Sequence, residues 1–440
     1  MSQTKQQQSC LVPFIIMVVL MSLGGLITSL NQQFQSPMKA AFLLMGGGMK
    51  NILTSCITFS FFLAFLIMGA PSAKYIENNG YKKTLITGLV ILMGSFGIYE
   101  LSAYIFETVD MATFAPVIEQ AKAQEAFEYT GPMVIPTAYY VFLLAAFVAG
   151  SALTFLQAVL NPYIAACNVN GTTPVTRGSI AGSGNSTMTT IGPLLVAHII
   201  FAGKSGLDIE LSSLYLPFLV LIVLVGILIA ALTQVNLPAI ASAEKKEGEV
   251  LEKSVWSFSH LALGVVAIFM YVGVEVAVGN NINLYAKSLD YKDPALLATI
   301  YWGLMLVGRL CGSFLSGISA QMQLTATSVL AGLCVLVGML TNNPYFLIGA
   351  GLFHSIMWGA IFALAIDKLG KYTSAGSGAL MMGVVGGAVL PLLQGVLADV
   401  LGSWQWTWAL FVAAEAYLLF YALSGHKVKP VSYTHLTLPT

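Results

Sequence analysis

The sequence predicts an all-α membrane protein, with twelve transmembrane helices in two pseudo-symmetric six-helix halves. Three observations carry this. Of 440 residues, 57% are hydrophobic and only 9% charged, with mean hydropathy +0.82, whereas soluble domains carry about a quarter charged residues. Apolar runs of roughly 20 residues, the length that crosses a bilayer core, recur along the whole chain. One charge-dense stretch, Glu244-Lys245-Lys246-Glu247 with Glu249, Glu252 and Lys253, divides these runs six and six.

Taken in order, the runs place helices at roughly 11–36, 51–76, 82–106, 136–168, 177–202 and 213–236. After a linker at 238–257, they resume at roughly 258–286, 294–318, 322–341, 344–369, 373–400 and 405–424. The units are therefore a first half at 1–237, the linker at 238–257, a second half at 258–424 and a tail at 425–440. The first run follows a short polar start without a small-residue cleavage site, so it reads as a retained helix. Val431 to Thr440 is polar and β-prone, unlike the helix before it, and reads as a disordered or non-native extension.

With the N-terminus inside, thirteen of the nineteen Lys and Arg residues fall on the inner side, Arg177 and Arg309 among them. The positive-inside rule then puts both termini in the cytoplasm. Asn78-Asn79-Gly80-Tyr81-Lys82-Lys83 reads as a tight inner turn anchored by its lysines. The acidic connection from Glu107 to Pro132 lies outside, with an amphipathic segment over the mouth. Ala181-Gly182-Ser183-Gly184 recurs as Ala375-Gly376-Ser377-Gly378, each followed by Pro-Leu-Leu, which is a weak internal repeat between the halves.

Several function classes are excluded or disfavoured. Zero net charge and the lack of a basic patch argue against nucleic acid. The five cysteines, Cys10, Cys56, Cys167, Cys311 and Cys334, show no metal-ligand spacing and read as apolar residues. No nucleotide-binding, metalloprotease or nucleophile-elbow motif is present, so neither bound ATP nor membrane-enzyme chemistry is expected. No cofactor is expected beyond a coupling proton or sodium ion.

Polar residues at bilayer depth then become informative, because they cost several kcal/mol unless paired or hydrated. In Phe155-Leu156-Gln157-Ala158-Val159-Leu160-Asn161-Pro162, Gln157 and Asn161 share one helix face, read as part of a solute pathway. Gln32 ends the first run, and Asn185 lies about 12 Å deeper than Arg177 at the helical rise. For Gln32 a polar helix end in the interfacial region competes with solute contact, and for Asn185 a structural interhelical hydrogen bond does. Glu275, in Tyr271-Val272-Gly273-Val274-Glu275, is functional by default, since ionised it needs a partner or water; the competing reading is a structural hydrogen bond held protonated. Asn280 and Asn281 follow it. His354 titrates in the right range, although a lone histidine more often serves packing. Trp358 stands one turn on, with packing its commoner role. Glu100 and Glu415 read as structural or interfacial.

These residues resemble the fucose:proton symporter family of the major facilitator superfamily, including glucose/galactose transporters. The resemblance runs from the first helix to the twelfth. Its clearest segments are Tyr271 to Val276, Leu306-Val307-Gly308-Arg309-Leu310-Cys311-Gly312-Ser313, Ser355-Ile356-Met357, and Gly376 through Gly386-Gly387-Ala388 to Pro391-Leu392-Leu393-Gln394-Gly395 with Ala398-Asp399. It implies the major facilitator fold and alternating-access transport of a sugar between the halves. Two departures stand out. Family glutamate and aspartate positions are occupied by Gln157 and, near the end of helix one, Gln32; an amide cannot release a proton. Gly182 stands where a glutamine is usual.

The expectation is a monomeric, multi-pass protein of a bacterial inner membrane, taking a neutral monosaccharide of glucose, galactose or L-fucose type by cation symport. Gln32, Gln157, Asn161, Asn185, Asn280, Asn281 and His354 are its expected lining, and Glu275 its coupling residue. The alternatives are an uncoupled facilitator and a sugar sensor that binds without transporting; an exporter of amphipathic compounds would want a more apolar cavity.

Overall fold

The computed structural model describes residues 11–34, 38, 42, 50–123, 135–202, 210–237, 253–291, 294–312, 314–315 and 317–428. Most of the expected linker, at 238–252, and the end of the tail, at 429–440, lie outside the described residues.

The first half opens with α1 (Leu11–Gln33). Lys50–Ile105 follows as one helical trace, but Gly80 adopts φ 73 and ψ 174. A positive φ favours a residue without Cβ, and the turn there splits the trace into α2 (50–79) and α3 (81–105). Beyond a π turn at Phe106–Asp110 comes α4 (Met111–Ala123), within the stretch expected to form an amphipathic cover. Asp110 accepts the Ala138 N–H at 2.8 Å, which caps the first turn of α5 (Thr137–Ala166). Thr173 caps α6 (Pro174–Leu194) by accepting the Thr176 N–H, and α7 (Tyr215–Gln234) closes the half.

The second half comprises α8 (Ser259–Ser288), α9 (Pro294–Gly312), α10 (Ala320–Thr341), α11 (Pro344–His354), α12 (Met357–Ala365), α13 (Thr373–Gly383), α14 (Gly386–Leu401) and α15 (Ala409–Phe420). The single helix expected at 344–369 is α11 and α12, bent by 45° at Ser355-Ile356. That expected at 373–400 is α13 and α14, separated by a short turn.

By length and apolarity alone, 8 described helices can cross a membrane, or 9 with the bent α11–α12 pair. Cys56–Pro116 contains two crossings, since 61 residues in one helix would reach about 90 Å, three bilayer cores. α6 is too polar to qualify and the apolar part of α9, Leu296–Gly312, too short. With those restored, the described residues make twelve crossings.

α7 turns Leu216, Leu219, Val220, Val223 and Ile227 outward, as a lipid-facing helix must. The two small-residue repeats face inward and across. A Cβ on Gly182 of α6 would stand 3.3 Å from Arg309 Cδ on α9, and one on Gly378 of α13 would stand 2.5 Å from the Gly69 carbonyl oxygen on α2. The fifth crossing thus meets the eighth where the eleventh meets the second, as two repeats related by an axis along the membrane normal require.

Candidate functional site

Between the halves lies a cavity of ≈1210 Å³, taken out to its mouth. Its polar lining includes Thr28 and Gln32 from α1, Gln157 and Asn161 from α5, Asn185 and Thr189 from α6, Glu275 from α8 and Arg309 from α9. Trp302, Trp358, Phe62, Phe65 and Phe362 add aromatic surface. An aromatic and apolar wall with a few convergent polar groups is the usual make-up of a small-molecule site.

α5 supplies its face through a broken hydrogen-bond ladder. Pro162 has no N–H, so the Ala158 carbonyl four residues earlier loses its helical donor. Ser377 of α13 donates to that oxygen at 2.8 Å, joining the two halves at the break. Beside it, Asn161 donates to the Gln157 carbonyl at 2.9 Å and accepts the Trp358 indole N–H at 3.1 Å. That second bond crosses from one half to the other.

Arg309 forms the other crossing. Its Nε donates to the Ser355 carbonyl at 3.0 Å, and its Nη2 reaches Glu275 Oε1 at 3.4 Å. Its Nη1 donates to the Gly182 carbonyl at 3.1 Å, Asn185 Oδ1 at 3.3 Å and Ser186 Oγ at 2.6 Å. The arginine lies close along α6 here: a Cβ on Gly182 would stand 3.3 Å from its Cδ and 3.5 Å from its Nε. Asn185 also donates to the Met21 carbonyl at 3.1 Å, so this amide serves both the cavity and the α1–α6 contact.

Of the residues expected to line the pathway, Gln32, Gln157, Asn161, Asn185 and Glu275 surround this cavity. Asn280, Asn281 and His354 are not among its lining residues. On α8 the lining positions are Val272, Glu275 and Val276; at 100° per residue Asn280 is rotated about 140° from Glu275 and Asn281 about 240°. Asn281 instead donates to the Pro391 carbonyl at 3.1 Å and Gln394 Oε1 at 2.9 Å on α14. His354 points the other way from neighbouring Ser355. Fully buried, it lies between the Tyr301 hydroxyl, 2.9 Å from Nδ1, and Glu415 Oε1, 2.7 Å from Nε2.

Arg309, expected only as an inner-side charge, is buried against this cavity in the last turn of α9. Its interior position was signalled, because it falls within the apolar run expected at 294–318, between Gly308 and Gly312. Arg177, by contrast, is a cap: Nε donates to the Ile164 carbonyl at 2.8 Å and Nη2 to that of Ala165, where α5 ends.

No family model matches the sequence. The chain is 28% identical over 437 residues to a glucose/galactose transporter of Brucella abortus, covering 97% of each. It is 28% identical over 436 residues to a Helicobacter pylori protein named "Putative glucose/galactose transporter", covering 93% of this chain and 96% of the relative. With the L-fucose-proton symporter of Escherichia coli it shares 23% over 428 residues, 90% of this chain and 89% of that one. Among solved structures, the E. coli fucose:proton symporter superposes with a TM-score of 0.73 at 19% identity, over 94% of this chain and 98% of that one. A proton:xylose symporter superposes at 0.65 with 13% identity, over 93% and 94%. The chain has the major facilitator fold and, along nearly its whole length, resembles the fucose:proton symporter family with its glucose/galactose transporters.

Proposed function

We propose that the protein moves a neutral hexose of glucose, galactose or L-fucose type across a bacterial inner membrane by alternating access, with cation symport. The observation that carries this is the interhalf cavity, where amides and hydroxyls stand beside two indoles. Amides donate and accept at once, matching sugar hydroxyls, while indole faces cover the apolar face of a pyranose. The names of the full-length relatives agree with that chemistry. Both termini face the cytoplasm in this reading, which follows the lysine and arginine bias. The protein acts as a monomer, the site being complete within one chain.

Glu275 is the coupling group that faces the solute. Its pairing with Arg309 gives a cation, proton or sodium, a way to act: neutralising the carboxylate frees the guanidinium that joins α9 to α6. The test is uptake of labelled D-glucose, D-galactose and L-fucose into proteoliposomes, with proton and sodium gradients imposed separately. At least one sugar is expected to accumulate under one gradient, and Glu275→Gln to abolish accumulation. Equilibration without accumulation would make the protein a facilitator; binding without counterflow would make it a sensor.

A further inference from the structure

The cavity leaves unused the most deeply buried ionisable pair among the described residues. His354 Nε2 and Glu415 Oε1 are 2.7 Å apart, each side chain 1% exposed. Tyr301 closes the row at His354 Nδ1, and Glu415 Oε2 has no hydrogen-bond partner. We propose that His354 and Glu415 form a proton-binding dyad inside the second half, and that the helix break beside His354 reports the dyad's state to Arg309.

The geometry of the pair lets it hold one shared proton. A carboxylate at this depth with one partner is a net buried charge, which hydrocarbon surroundings tolerate poorly. One proton removes that charge, either as imidazole facing carboxylic acid or as imidazolium facing carboxylate. Release of the proton to water leaves imidazole opposite a bare carboxylate, with a net charge of −1. Filling and emptying therefore change the charge of a dry site by one unit. Three titratable groups on neighbouring helices act on the dyad: Tyr301 on α9 beside His354 Nδ1, Cys334 on α10 toward Glu415, and Glu275 on α8 toward His354.

The connection to the cavity is covalent and short. His354 ends α11, and the next residue, Ser355, gives its carbonyl to Arg309 Nε at 3.0 Å. Ser355 and Ile356 form the 45° bend between α11 and α12, where the ladder is already interrupted. A shift of the imidazole as the dyad loses its proton therefore moves the carbonyl that orients the guanidinium, and with it the Gly182, Asn185 and Ser186 contacts across the halves. The dyad supplies a protonatable acid outside the cavity lining. Its part in coupling rests on the transport reading above; its existence as a proton site does not.

Two measurements on the purified full chain test this. In infrared difference spectra between low and high pH, wild type is expected to show a protonated-carboxyl band that is lost in Glu415→Gln and shifted in His354→Gln. Unchanged carboxyl bands in both variants would overturn the dyad. In proteoliposomes, Glu415→Gln is expected to lower proton-driven accumulation of D-galactose, D-glucose or L-fucose at least about tenfold while counterflow at equal pH stays within about threefold. Accumulation equal to wild type would overturn the coupling role. If wild type exchanges none of the three sugars, the transport reading fails and the infrared result still decides the dyad. Should Glu415→Gln not fold, His354→Gln and Tyr301→Phe carry the infrared test.

Discussion

Arg309 reaches three elements from one guanidinium: the α6 groups at 182–186, the Ser355 carbonyl at the α11–α12 bend, and Glu275 on α8. Only a planar fork with separated donors can do this; lysine offers one point charge. Arg309→Lys is therefore expected to cut sugar counterflow at least about tenfold although the charge is kept. Arg309→Gln leaves the partly exposed Glu275 carboxylate without its cation, at a cost of up to about 3 kcal/mol, and Glu275→Gln in the same chain should restore part of that. Thermal unfolding of the two single variants and the double variant in detergent checks it; strictly additive losses would mean the pair is not coupled. At this scale the sequence was only partly legible. Gln157, Asn161 and Glu275 declared themselves by depth. Asn281 lies off the cavity because its rotation about α8 turns it toward α14, which helical geometry can anticipate. His354 lies off it for another reason: its partner Glu415 is 61 residues away in the chain, and only packing brings them together.

Helices in this protein are most informative where their ladders fail. Pro162 breaks α5 at Ala158, the bend at Ser355 breaks the tenth crossing, and each break is answered by a group from another helix. The Ser377 hydroxyl serves as the donor that Pro162 lacks. Ser377→Ala should therefore cost about 1–3 kcal/mol by orphaning the Ala158 carbonyl. In a Pro162→Ala background the restored backbone N–H can take that carbonyl, so Ser377→Ala should become nearly neutral. A thermal-unfolding cycle over the four chains decides this; an undiminished penalty in the alanine background would show that Ser377 acts through something other than the break. Sequence reading placed Asn161-Pro162 and the Ala375-Gly376-Ser377-Gly378 repeat correctly as features. That they meet is a property of the interhalf contact, which no local pattern encodes.

Across the whole molecule, most crossings were readable because they are apolar runs of bilayer length, whereas polar α6, which lines the cavity, and the short apolar stretch of α9 show where that signal weakens. The breaks at 355–356 and 384–385 were not readable, since a bent helix and a straight one have the same composition. Each half also has its own core. In the first, Phe34, Tyr99, Phe142 and Phe218 interlock α1, α3, α5 and α7, with ring centroids 4.7–6.1 Å apart. In the second, Tyr285, Trp408 and Phe411 bind α8 to α15, with centroids 5.5–5.6 Å apart. Described contacts between halves include close approaches of small residues and polar links: Gly69 with Gly378, Asn161 with Trp358, Ser377 with Ala158, and the Arg309 guanidinium with Gly182, Asn185 and Ser186. Such an interface can part and reform, as alternating access demands, while each core stays packed. Chains 1–237 and 258–440, expressed together without the linker, are therefore expected to copurify and to support counterflow of the sugars that the intact protein exchanges. Halves that fold separately but never associate would show that the linker holds the transporter together, and halves that fail to fold would show that the two cores are not independent.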